Sequence, residues 1–156
     1  MKRKLSWQSL LPLGMDPRKI RKDLLLAWGV GVGWSTRFLI RYAGARGELF
    51  EWNGRSKVLR EGARMLPFDE LLGGSFILLV TAMLLSILLA WGFYAWHYQD
   101  SRSIYTMKRL PNPWELWRRV LTVPAAAAAV YGLTIPVLTG LYYLIYLWLT
   151  PAACLL

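Results

Sequence analysis

The chain has 156 residues, 56% of them hydrophobic and nine of them tryptophan, with a mean hydropathy of +0.33 and a net charge of +10. That apolar share exceeds an ordinary soluble domain's, and the bases flank apolar runs instead of gathering on one soluble face, which argues against nucleic acid as partner. The lone Cys154 and lone His97 exclude a disulfide framework, a CxxC redox pair and a cysteine- or histidine-rich metal site.

Residues 1–22 carry Lys2, Arg3, Lys4, Arg18, Lys19, Arg21 and Lys22 against one acid, Asp16. Between these bases lies LSWQSLLPLG, apolar and aromatic but broken at Pro12 and Gly14. The pattern predicts a basic interfacial segment with Trp7 and the leucines at the headgroup boundary and the cations toward anionic lipid.

A first transmembrane helix is expected over 23–42. Its uncharged core, 24–36, is 13 residues, about 20 Å of helix against roughly 30 Å of hydrocarbon, so the crossing has to include Arg37. Arg37 and Arg41 lie four apart on one helix face, where their stems can snorkel to the interface; Arg37 is also the candidate contact to a cargo or cavity. The basic start and Ala43-Gly44-Ala45 fit a signal peptide in outline, but two arginines between core and cleavage site argue against one. Gly29, Gly31 and Gly33 have apolar flanks and no following Lys-Ser/Thr, so they make no phosphate loop. Gly29 and Gly33 form GxxxG, a helix-packing pattern.

Residues 43–72 are expected as an extracytoplasmic loop with balanced charge. Asn53-Gly54, flanked by apolar residues, predicts a hairpin there. The second transmembrane helix, 73–99, has no Asp, Glu, Lys or Arg. Trp91, Phe93, Tyr94, Trp96 and Tyr98 form an aromatic belt at its end, with His97 as an interfacial member.

Residues 100–119 interrupt the apolar runs. Ile104, Met107 and Leu110 recur on one side of a short helix, with Arg102, Lys108 and Arg109 polar; Leu110-Pro111 ends it. Asn112, Pro113 and Glu115 then give the cap, first-turn proline and third-position acid of a new helix. Residues 120–150 are expected as a third transmembrane helix, kinked at Pro124 and Pro136, with a re-entrant pair as the alternative; 151–156 is a short end. Bases concentrate before the first span and between the second and third, which puts the N-terminus in the cytoplasm. No catalytic constellation lies within the spans, so no enzyme activity and no cofactor is expected.

The stretch SIYTMKRLPNPWEL resembles the cytoplasmic loop after the second span of export permeases of the ABC transporter superfamily, and the basic lead-in is similar to their elbow helix. The whole chain also resembles small membrane proteins of Firmicutes that share HYQ-x-S-x-SIY-x-M-x-RLP. That likeness implies a coupling helix docking on a cytosolic ATP-binding subunit through Ile104, Tyr105, Met107 and Leu110, with Arg102, Lys108 and Arg109 at the rim. Such permeases usually have about six spans, so this chain would be half of one and would pair with itself or another permease. The expectation is therefore an all-α, multi-pass protein of the bacterial plasma membrane, with three transmembrane helices, an N-terminal interfacial segment and a short cytoplasmic coupling-like helix. It would serve as a permease-like subunit of an ABC exporter whose partners are membrane lipid, an ATPase and a permease; a non-transporting membrane adaptor is the alternative.

Overall fold

The computed structural model describes residues 11, 15–52, 54, 56–60, 62–99 (96–99 by backbone alone), 114–151 (115 and 116 by backbone alone) and 154. Its elements in chain order are α1 (Pro17–Ser35), α2 (Arg37–Glu48), β1 (Phe50–Trp52), β2 (Lys57–Leu59), α3 (Phe68–Leu72), α4 (Ile77–Gln99) and α5 (Trp114–Leu149). The chain is thus mostly helical. Among the described residues, two helices are long and apolar enough to cross a membrane, over Ile77–Ala95 and Trp117–Leu149.

The first helix starts earlier than the hydropathy suggests. Asp16 caps it, its carboxylate accepting from the Arg18 N–H at 2.9 Å, and Pro17 occupies the first turn, where its missing N–H costs nothing. The bases Arg18, Lys19, Arg21 and Lys22, expected in a separate interfacial segment, therefore belong to α1. At the other end the Ser35 hydroxyl donates to Val32 O and the Thr36 hydroxyl to Gly33 O, each at 2.7 Å. Two successive hydroxyls bonding back to the preceding turn compete with the backbone ladder and mark the break between α1 and α2. Helix then continues through Ala43, Gly44 and Ala45 to Glu48, six residues beyond the expected end of the span.

The strands pair antiparallel with Phe50 opposite Leu59, Glu51 opposite Val58 and Trp52 opposite Lys57. The connection is therefore 53–56, with Gly54 at φ 66°, a conformation that glycine adopts at no steric cost. Gly74, at φ 75°, turns the chain from α3 into α4. The third apolar run is a single helix, not a re-entrant pair, and carries Pro124 and Pro136 inside it.

Side-chain bonds fix how the helices lie. The Tyr131 hydroxyl donates to Leu24 O (2.9 Å), the Trp28 indole N–H donates to Thr134 Oγ1 (3.0 Å), Ser35 Oγ pairs with Tyr142 OH (2.8 Å) and Tyr42 OH with Thr150 Oγ1 (3.2 Å). Their sequence separations stay between 106 and 108 residues, so α1–α2 runs parallel to α5 in constant register from Leu24 to Tyr42, about 27 Å of helix. The chain turns back between α2 and α4, so α4 fills the antiparallel position. Gly31 of α1 faces Leu79 and Gly132 of α5 faces Met83.

The larger core closes the end that carries the strands. Phe38, Tyr42, Leu49, Met65, Leu71, Tyr142, Tyr146 and Cys154 are buried together. Phe38 stacks on Tyr142 with centroids 4.7 Å apart and meets Phe68 edge-on at 5.5 Å. The Tyr146 hydroxyl donates to Leu66 O at 3.1 Å, tying α5 to the segment before α3.

Candidate functional site

At the opposite end, where α4 stops and α5 starts, Leu11, Phe93, Val120 and Val123 are buried as a second cluster. Met15, Ile20, Leu24, Leu89 and Tyr94 pack around it. Tyr94 of α4 stacks on Trp117 of α5, centroids 5.9 Å apart and planes 19° from parallel. Residues from α1, α4 and α5 thus meet in one apolar knot at the base of the loop joining α4 to α5. Leu11, from the basic lead-in, inserts into the same knot. Sequence reading placed Tyr94 in an aromatic belt; its stacking on Trp117 depends on the relative rotation of two helices, which hydropathy does not encode.

The residues expected to dock on an ATPase, Arg102, Ile104, Tyr105, Met107, Lys108, Arg109 and Leu110, lie outside the described residues, as do Asn112 and Pro113. α5 is described from Trp114, which is exposed.

Above the knot a groove of about 580 Å³ runs between α1 and α5. Leu24, Leu25, Trp28, Val123, Ala126 and Val130 line it, and Arg21 is the one charged residue among the described ones. The alanine run 125–129 makes room for it, and the Trp28–Thr134 bond ties its two walls together. A smaller cavity of about 230 Å³, bordered by Asp23, Ala27, Ser86 and Tyr131, lies between α1 and α4. Among the described residues, no nucleophile–base pair or paired carboxylate converges on either space.

Gly29 and Gly33 do not act as the packing glycines within the chain: both are exposed, and a β-carbon at either would have no atom within 4 Å. The close approach occurs at Gly31, where a β-carbon would lie 2.7 Å from Leu79 Cδ2. The pattern shows that small residues lie on α1, but the rotation of the helix decides which one meets a neighbour. Arg37 is exposed, with its guanidinium 5.6 Å from the centre of the Trp34 ring, a cation–π contact on its own helix. It borders none of the cavities described here.

Arg41, four residues on, has a structural task. Its Nη1 donates to Gly73 O at 2.9 Å and to Glu70 O at 3.4 Å, satisfying carbonyls at the C-terminus of α3. Arg41→Gln is expected to speed amide hydrogen exchange in 68–72 by roughly 3- to 10-fold, equivalent to about 1 kcal/mol, while global unfolding moves by less than that. Exchange followed by mass spectrometry measures both.

Two further cavities flank the strands. One, of about 330 Å³, is bordered by Glu48, Arg60 and Arg64; the other, of about 540 Å³, by Tyr42, Arg46, Phe50, Lys57 and Leu149. Sequence reading counted these bases as part of a charge-balanced loop, and only the fold separates which acid faces which base. No family model, curated protein or solved structure matches the chain.

Proposed function

We propose that the chain is a permease-like transmembrane subunit of an ABC exporter, with α1–α2, α4 and α5 as its three crossings. Its N-terminus and the 100–113 loop lie in the cytoplasm of the bacterial cell, and a separate ATP-binding subunit engages that loop through Ile104, Tyr105, Met107 and Leu110. The observation that carries this reading is the apolar knot of Leu11, Phe93, Val120 and Val123, clamped by the Tyr94–Trp117 stack. A force applied to the loop acts directly on α4 and α5, and through the knot on α1, so the three helices respond together as a rigid-body element. The constant register between α1–α2 and α5 supports counting α1–α2 as a crossing although its uncharged stretch is short, since it runs alongside a helix that spans about 54 Å.

Changing Met107 and Leu110 to Asp together is expected to reduce copurification of the ATP-binding subunit by 10-fold or more, with the thermal unfolding midpoint of the purified chain unchanged. Association that survives the double substitution counts against docking through this face.

One observation favours a second reading, a non-transporting adaptor. The two cavities between the spans are mostly apolar and, among the described residues, offer no polar route across. Transport by this chain therefore requires a second copy or another permease to complete the path. Reconstituting the chain with the ATPase alone and following ATP-dependent cargo efflux separates the two readings: efflux supports the permease, and efflux only with a further permease added supports the adaptor.

A further inference from the structure

The cavity between α2, the strands and the end of α5 has a charge arrangement that the sequence conceals. Arg46 and Lys57 both border it, beside Tyr42, Phe50 and Leu149. Two nearby acids, Glu48 and Glu51, are turned elsewhere, and Glu61 lies outside the described residues. Glu48 borders the neighbouring cavity with Arg60 and Arg64. Glu51 pairs with Val58, and strand alternation puts that pair on the sheet face opposite Phe50, Trp52, Lys57 and Leu59. Among the described residues, the cavity is therefore bordered by two positive charges and no carboxylate.

Arg46 adds a second observation. Its Nε is buried without a hydrogen-bond partner, although the rest of the side chain is only partly covered. A buried guanidinium N–H with nothing to donate to is costly, and a shift of the side chain that brings it against an anionic oxygen in the adjoining space recovers the pairing. Guanidinium and ammonium groups together suit a phosphate, the first through directed N–H donors and the second as a mobile point charge.

The position selects the kind of phosphate. Leu149 is the last residue of the apolar α5, so the cavity sits where that helix leaves the hydrocarbon, with Phe50, Tyr42 and Leu149 as an apolar floor beneath the two cations. We propose that this cavity binds the phosphodiester headgroup of an anionic phospholipid, with Arg46 and Lys57 holding the phosphate and Phe50 and Leu149 covering the first part of the acyl chains. The inference rests on the reading of α5 as membrane-spanning, and is independent of whether the chain transports anything.

The test is native mass spectrometry of the detergent-purified full chain mixed with dioleoylphosphatidylglycerol or dioleoylphosphatidylcholine, comparing wild type, Arg46→Gln/Lys57→Gln and Arg60→Gln/Arg64→Gln. Wild type is expected to retain phosphatidylglycerol at least 5-fold more than phosphatidylcholine. The Arg46/Lys57 pair should lose that preference, with phosphatidylcholine retention unchanged; the Arg60/Arg64 pair should keep it. Equal loss in both pairs would reduce the effect to net charge and overturn the site. Calorimetric titration with inorganic phosphate identifies the source: a preference for free phosphate that vanishes in Arg46→Gln/Lys57→Gln, without any for phosphatidylglycerol, would overturn the lipid assignment. Loss of phosphatidylcholine retention by every form would instead overturn the membrane reading on which the site depends.

Discussion

Phe38→Ala is expected to lower the stability of the purified chain by about 3 kcal/mol, the lower end of what truncating a buried phenylalanine costs. Phe38 is completely buried. It touches three aromatic rings, Tyr42 at 6.2 Å, Phe68 at 5.5 Å and Tyr142 at 4.7 Å. Its removal therefore opens a void bordered by α2, α3 and α5 together, and no one of these can move inward without disturbing the other two. With α5 read as membrane-spanning, as proposed above, transfer from water contributes less and lost packing contributes most, which puts the cost at the low end. Phe38→Leu, which keeps much of the volume, is expected to cost under about 1.5 kcal/mol. Thermal unfolding in one detergent, followed by the near-ultraviolet signal of the aromatic cluster, measures both. A Phe38→Ala chain as stable as wild type would mean that the strand-bearing end is not a shared core. The loss should be local at first: α3 and the strands ought to become protease-sensitive while α4 and α5 remain protected, since the second cluster does not involve Phe38.

How much of this was legible beforehand depends on what each residue encodes. The apolar runs that became α4 and α5 are visible because hydropathy is a local property summed along a segment. The start of α1 was also local: Asp16 and Pro17 carry a cap signature, but the bases behind them suggested an interface and drew the boundary inward. Asn53-Gly54 marked the turn correctly because the left-handed conformation at Gly54 is a property of that residue alone. Phe38, Tyr142 and Tyr146 gave no such signal. They read as part of two separate greasy stretches, and what makes them a core is the parallel register of α2 with α5, set by contacts more than 100 residues apart. The same applies to Arg46 and Lys57. Along the chain they are balanced by Glu48 and Glu51, and only strand pairing turns Glu51 away. Local chemistry was thus readable and relative rotation was not, which is also why the loop motif could be noticed while the knot beneath it could not.

Relative rotation is what a Gly31 substitution probes. Gly31→Ala is expected to cost about 1–3 kcal/mol, whereas Gly29→Ala and Gly33→Ala should stay within roughly 0.5 kcal/mol of wild type or gain slightly from better helix propensity. The new methyl at position 31 would stand 2.7 Å from Leu79 Cδ2 and 2.9 Å from its Cγ. An exposed leucine would swing aside, but Leu79 is completely buried, so α1 and α4 have to separate instead. Leu79→Ala alone leaves a void and costs about 2–5 kcal/mol. Combined with Gly31→Ala, the added methyl enters that void, so the double variant should be more stable than the sum of the two single losses by about 1 kcal/mol or more. Strict additivity in this cycle would place Gly31 and Leu79 out of contact and return the packing role to Gly29 and Gly33. Gly31 lies outside the knot of Leu11, Phe93, Val120 and Val123, so a wedge there should loosen α1 from α4 while leaving that knot in place. Under the proposed function, retained binding of an ATP-binding subunit by Gly31→Ala, together with reduced stability, is the expected pair of results. Loss of binding in parallel with stability would instead show that the loop takes its shape from the α1–α4 contact.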